Sequence, residues 1–118
     1  MDKQILVVDD DPDILDALQF VLESENYRVK TTAKGEDAEN LRDTNLPALI
    51  LLDVLLSGKD GRVICQKLKK REGTKHIPII MISAHPSAKQ SIRKVGADDF
   101  IAKPFHIETL LKTIRKYL

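Results

Sequence analysis

Three stretches of the chain are apolar almost without interruption: Ile5-Leu6-Val7-Val8, Ala48-Leu49-Ile50-Leu51-Leu52 and Ile77-Pro78-Ile79-Ile80-Met81-Ile82. Runs this short, without polar alternation, suit strands buried on both faces in a parallel sheet covered by helices. Pro78 is tolerable near a strand start. Arg28-Val29-Lys30-Thr31-Thr32 alternates and predicts a strand nearer the sheet edge. Asp99-Phe100-Ile101-Ala102 is a fifth, shorter strand. Between the strands the apolar residues change to helical spacing. Ile14, Leu18, Val21 and Leu22, widened by Leu15, predict a helix over 12–25. Ile64, Cys65 and Leu68 predict a helix running to about 71 that Asp60 can cap. A short helix over 87–95 closes at Gly96, a left-handed cap. The last helix, over 105–118, carries Ile107, Leu110, Leu111, Ile114 and Leu118 inward. Residues 35–43 are only weakly helical, with Ala38 and Leu41 as apolar positions, and should form the least firmly packed helix. Strands alternating with helices imply an α/β fold with right-handed crossovers. The expected form is a doubly wound five-stranded parallel sheet with helices on both faces and all strand carboxyl ends on one edge.

At 118 residues the chain is read as one domain, 1–118. Lysine plus arginine number 19 and aspartate plus glutamate 18, so the net charge of +1 drives it onto neither nucleic acid nor an anionic membrane. Lys67, Lys69, Lys70 and Lys75 look like a patch, but no aromatic residues are interleaved to stack on bases, and a solvated helix face is the reading. Cys65 has no partner for an internal disulfide and is read as a small buried side chain, not a redox centre. The start Met1-Asp2-Lys3-Gln4 lacks the basic and apolar regions of a signal peptide, and no apolar run approaches a membrane span. A cytoplasmic location is expected.

The chemistry lies where the strands end. The central run stops on Asp53, the first on Asp9-Asp10-Asp11, the third on Ser83, and the fifth strand leads to Lys103. Asp11 can cap the helix that follows, with Pro12 in its first turn, which leaves Asp9 and Asp10 without a structural task. Singly, each residue has an ordinary reading: Asp53 as a turn residue, Ser83 as a helix cap, Lys103 as surface. Pro104 restricts Lys103 to an extended conformation. Together, Asp9, Asp10, Asp53, Ser83 and Lys103 gather at the edge where open α/β sheets bind ligands. Carboxylates a few ångströms apart repel by about 4 kcal/mol per pair at an effective dielectric near 20, more than one lysine cancels. Hard oxygen donors without His or Cys suit Mg²⁺, which takes one or two carboxylates plus phosphate oxygens. Asp53 would attack phosphorus in line while Mg²⁺, the Ser83 hydroxyl and the Lys103 ammonium each neutralise one equatorial oxygen.

Five motifs stand in order: Val7-Val8-Asp9-Asp10, Leu51-Leu52-Asp53 with Asp60-Gly61, Ile82-Ser83-Ala84, Gly96-Ala97-Asp98-Asp99-Phe100, and Lys103-Pro104-Phe105. On these the chain resembles, over its whole length, a response-regulator receiver domain of two-component signalling. The resemblance implies a flavodoxin-like fold with strand order 2-1-3-4-5. It implies that Asp53 accepts a phosphoryl group from a histidine kinase or histidine phosphotransfer protein, in a module that assists its own phosphorylation and dephosphorylation. By the same resemblance Asp10 is a direct Mg²⁺ ligand, Asp9 acts chiefly through water, and the backbone carbonyl of Leu55 is another ligand. Ser83 and Phe100 match the pair that rearranges on phosphorylation, and the Lys103–Pro104 bond is cis. Leu55 and His85 occupy positions that help set the dephosphorylation rate. Leu56-Ser57 departs from the Met-Pro often found in the family, and Ala48 stands where Asp is frequent. Neither touches the chemistry, although Ser57 leaves the shape of that loop open.

An aspartyl-phosphate hydrolase would also use an Asp nucleophile and Mg²⁺, but such enzymes carry a D-x-D pair on one strand, and Asp53 is followed by Val54-Leu55. A flavodoxin-like flavin carrier should offer hydroxyls and N–H groups in its first loop, where Asp9-Asp10-Asp11 would repel a phosphate. Ending at Leu118, the chain is either a complete single-domain regulator or a receiver from a longer protein, and its downstream partner or output domain is not legible. Arg93, Lys94, Asp98, Asp99, Lys112 and Arg115 put both signs near the output face. A phosphorylation-dependent homodimer is chemically open to it, with a solvated mixed-charge surface the reading ranked first.

Overall fold

The apolar runs are uninterrupted because both faces of each inner strand are covered. The computed structural model describes residues 3–85 and 87–118. Met1, Asp2 and Pro86 lie outside the described residues, and with them the first two residues of the segment read as lacking a leader. In chain order the elements are β1 Gln4–Val8, α1 Pro12–Ser24, β2 Arg28–Thr32, α2 Gly35–Glu39, β3 Leu49–Asp53, β4 Leu55–Leu56, β5 Lys59–Asp60, α3 Gly61–Lys70, β6 Ile79–Ser83, α4 Ala88–Lys94, β7 Asp99–Ala102 and α5 Ile107–Arg115. The main sheet runs β2-β1-β3-β6-β7, every pair parallel. Counting only its own strands, that is the expected order 2-1-3-4-5.

Alternate residues of the inner strands enter two separate cores. Ile5, Val7, Leu49, Leu51, Ile80 and Ile82 pack with Leu18 and Leu22 of α1 and Leu110 and Ile114 of α5. On the opposite face Leu6, Val8, Ile50, Leu52, Ile79 and Met81 meet Ala38 of α2, Ile64, Cys65 and Leu68 of α3, and Ala88 and Ile92 of α4. Register is therefore tightly specified, since a one-residue slip would exchange the two faces. The caps also match expectation. Asp11 and Asp60 accept hydrogen bonds from the amides of Asp13 and Arg62, each at 2.9 Å. Gly96, at φ +90°, follows α4 in the left-handed region.

Several local readings are corrected. Residues 55–60 are not a plain loop: β4 and β5 form a two-residue antiparallel ribbon across the turn Ser57-Gly58, with φ +73° at Gly58. A positive φ at the second turn residue favours glycine there. α2 stops at Glu39, short of the expected 43; of residues 40–43 Leu41 alone is apolar, too little to hold a further helical turn on the core. A cleft of about 300 Å³ opens there between β1, β2 and residues 40–47, sharing no residue with the acidic cluster. α5 begins at Ile107, not 105, and Ile107 is 52% exposed instead of inward. Leu110, three residues on, is fully buried in the core that α1 and α5 cover, so the inward stripe of α5 begins there. Lys69 is not on a solvated face: its ammonium bonds Asp98 at 2.7 Å and the Ile77 carbonyl at 2.8 Å. Cys65 is fully buried, and burial pushes its thiol up to about 11, so it stays protonated as a core side chain.

Candidate active site

Each functional side chain follows from the end of a strand. β1 delivers Asp9, 2% exposed, and then Asp10, which is exposed. β3 ends on Asp53, 6% exposed, and β6 on Ser83, 2% exposed. Adjacent parallel strands hold these ends level. Asp53 pairs with Ile82, and the Lys103 amide donates to the Ser83 carbonyl at 2.8 Å, so Lys103 emerges beside them. The Lys103–Pro104 bond is cis.

Carboxylate oxygens of Asp9, Asp10 and Asp53 lie within 4.8 Å of one another. The Lys103 ammonium bridges two of them, at 2.9 Å to Asp9 Oδ2 and 3.1 Å to Asp53 Oδ2. Asp9 also accepts from the Asp11 amide at 3.0 Å, and Asp53 from the Leu55 amide at 3.3 Å. Burial, and after it the charge of Asp9, pushes the Asp53 carboxyl above the ordinary carboxylate range, with Lys103 opposing both. Burial works to lower the pKa of Lys103, but its hydrogen bonds and charge contacts with Asp9 and Asp53 outweigh this and raise it. Three carboxylates against one ammonium leave an excess of negative charge. The donors are all hard oxygens, with no His or Cys in the cluster, and this set fits Mg²⁺.

Of the remaining residues named from the sequence, Leu55 and His85 adjoin Asp53 and Ser83 through their amides, and Phe100 lies farther along the sheet. Leu55, in β4, is 55% exposed, and His85 is exposed with its amide donating to Ser83 Oγ at 3.0 Å. Phe100 is half-buried, beside Met81 on the neighbouring strand, and packs against the core that contains Ala88 and Ile92. Two contacts were not anticipated. The Ser57 hydroxyl donates to Asp10 Oδ2 at 2.8 Å, a contact that depends on the ribbon turn. Gly61, the first residue of α3, donates its amide to the Val54 carbonyl at 2.7 Å, and a Cβ there would overlap the Asp53 carbonyl oxygen. The Asp60-Gly61 pair marked the place without revealing that reason.

The family model for the response regulator receiver domain matches residues 5–115, so this chain belongs to that family and is a receiver domain of two-component signalling. The DNA-binding dual master transcriptional regulator RpaA of Synechocystis sp. is 37% identical over 98% of this chain, which spans 48% of that protein's length. Among solved structures, the chemotaxis protein CheY4 of Vibrio cholerae is 30% identical, with a TM-score of 0.91 and full coverage of both chains. The receiver domain of the sensor histidine kinase PA1611 from Pseudomonas aeruginosa is 26% identical, with a TM-score of 0.89 over 99% of this chain and 98% of its own. It carries a magnesium ion coordinated in its active-site cleft. Receiver domains are signalling modules that bind Mg²⁺ at this acidic site and interact with a histidine kinase or phosphotransfer partner. Among the described residues, no helix is long and apolar enough to cross a membrane.

Proposed function

We propose that Asp53 is the phosphoryl acceptor and that residues 1–118 work as one receiver unit. One carboxylate oxygen of Asp53 attacks the phosphorus of a phosphohistidine on a kinase or phosphotransfer protein. The oxygen–phosphorus bond formed makes an acyl phosphate. The nitrogen–phosphorus bond breaks, and the imidazole leaves with the electron pair and is protonated by water. The observation that carries this reading is Lys103, whose ammonium bridges Asp9 and Asp53 and so stands beside the carboxylate that would take the phosphoryl group. A Mg²⁺ ion held by Asp10, Asp53 and the Leu55 carbonyl, with Asp9 acting chiefly through water, would supply the charge that lets an anion approach these carboxylates. Lys103 then neutralises one phosphoryl oxygen, and the Ser83 hydroxyl donates to another. Transfer of label from a phosphohistidine donor should require Mg²⁺ and stop when the metal is chelated; label that persists without Mg²⁺ contradicts the assignment.

Drawing Ser83 toward the phosphoryl group lets Phe100 turn inward, which alters the face made by α4, β7 and α5. This is a two-state shift biased by one new charge-assisted contact. Output then passes to a downstream protein or an attached domain. On that face Asp98 is engaged by Lys69, and Asp99 lies 3.0 Å from the Tyr117 hydroxyl and 3.7 Å from Lys116. Lys89, Arg93, Lys94 and Lys112 have no ion-pair partner among the described residues. Exposed Glu108 of α5 has none either, so the face offers both signs to a partner.

Leu55 and His85 border the path of water to the phosphorus. An apolar, exposed Leu55 cannot orient an attacking water, and we infer slow self-dephosphorylation. Leu55→Asn should speed the loss of phosphate severalfold without weakening Mg²⁺ binding, because the proposed ligand there is the backbone carbonyl. A decay curve unchanged or slowed after removal of the donor counts against this role.

A further inference from the structure

Asp9 and Asp53 are each held from two sides, by Lys103 and by a backbone amide. Asp10 differs. It is exposed, and among the described residues its carboxylate receives one hydrogen bond, from the Ser57 hydroxyl to Oδ2 at 2.8 Å. The two residues are 47 apart in sequence and come from different elements, Asp10 after β1 and Ser57 at the ribbon turn. The ribbon that carries Ser57 is itself restrained. Its own Leu56 is buried in the core, and in its other strand Lys59 bonds Glu39 of α2 at 2.6 Å, with Glu36 at 3.8 Å. The hydroxyl is thus offered to Asp10 from a fixed place, not from a free loop. A carboxylate has about four lone-pair directions. A bond at Oδ2 therefore limits rotation of the group and leaves Oδ1 open to a cation or to water.

We propose that Ser57 is a positioning residue of the cation site: through its hydroxyl it sets the orientation of Asp10 and so strengthens Mg²⁺ binding. The inference rests on the Mg²⁺ reading above. Ser57 touches neither the transferred group nor, in this scheme, the metal. It acts as the outer partners of metal ligands act, by holding the ligand in the geometry the ion requires.

Calorimetric titration of the whole chain with MgCl₂ tests this, using the unsubstituted protein, Ser57→Ala and Ser57→Thr, with the melting temperature of each measured without metal. Ser57→Ala should weaken Mg²⁺ binding about tenfold, the low end for an outer partner because this pair is open to solvent. Ser57→Thr retains the hydroxyl and should restore most of the affinity, while the metal-free melting temperatures stay close together. Equal affinity of Ser57→Ala and the unsubstituted chain overturns the role of Ser57 alone. A Ser57→Thr protein as weak as Ser57→Ala also overturns it, since the hydroxyl would then not be the cause. If the unsubstituted chain binds no Mg²⁺, the cation-site reading itself fails, and the role of Ser57 fails with it.

Discussion

Gly61→Ala is expected to slow phosphoryl transfer to Asp53 by about 100-fold while leaving the chain folded. The amide of Gly61 is bonded to the Val54 carbonyl at 2.7 Å, so the start of α3 is docked directly on the end of β3. A methyl group added at that position meets the Asp53 carbonyl oxygen, with the Met81 terminal methyl also close, at 3.2 Å. The obstacle is backbone, so relief requires moving either α3 or Asp53 itself. A displacement of about 1 Å at a reacting group costs on the order of 100-fold in rate. Overpacking costs about 1–3 kcal/mol. The better helix propensity of alanine returns up to about 1 kcal/mol, so the loss of stability should be modest. Gly58→Ala is the control. It has no neighbour within 4 Å of the added Cβ but must hold φ +73°, so it strains the turn without pressing on Asp53. Rates with a small phosphodonor, compared with thermal melts, separate the two effects. A Gly61→Ala protein that is phosphorylated at the unsubstituted rate would show that Asp53 does not depend on this close approach.

Lys103→Met should produce the largest loss of stability of any single change at the site, about 3 kcal/mol in metal-free protein. Removing one partner of a buried ion pair costs about 3–5 kcal/mol because the other charge is left uncompensated. Here Asp9 and Asp53 would both be left, and the low end applies because Lys103 is 18% exposed and the cleft opens at Asp10. Methionine keeps most of the stem, so the change reports charge more than volume. The pH dependence has a definite sign. Because the folded state holds the Asp53 proton more tightly than the unfolded chain does, ionising Asp53 costs stability as pH rises from the ordinary carboxylate value through its raised one. Without Lys103 that cost grows, so the penalty should be largest near neutral pH and shrink as Asp53 takes up its proton. Adding Mg²⁺ at neutral pH should recover part of the loss. Denaturant unfolding at two pH values checks both statements; a penalty that is the same at each, and indifferent to Mg²⁺, would mean the carboxylates are not electrostatically coupled.

The sheet was legible because burial on both faces writes itself as unbroken apolar runs, and β1, β3 and β6 fall where those runs do. The cluster was legible for a related reason. A parallel sheet places all strand carboxyl ends together, so Asp9, Asp10, Asp53, Ser83 and Lys103 could be assembled from strand ends alone. Features set by tertiary contact were not. The ribbon of β4 and β5 is too short to leave a pattern, and its turn shows only as Ser57-Gly58. Ile107 has the right spacing to face inward, but spacing does not say at which residue an apolar stripe begins to be covered. Lys69 reads as surface until Asp98 and the Ile77 carbonyl are found beside it. The need for glycine at position 61 arises from a neighbour eight residues earlier in the chain, and the Ser57–Asp10 contact from residues 47 apart.

The most direct measurement is intact mass after treatment with a small phosphodonor and Mg²⁺, made on the unsubstituted chain and on Asp53→Asn. The substitution keeps nearly the same side-chain shape but leaves no anionic oxygen to attack phosphorus. The unsubstituted chain should gain one increment of roughly 80 Da, the mass of a single phosphoryl group, and should lose it again on standing as the acyl phosphate hydrolyses. Asp53→Asn should gain nothing under the same conditions. An increment of the same size on Asp53→Asn would place the acceptor elsewhere and contradict the assignment of this site.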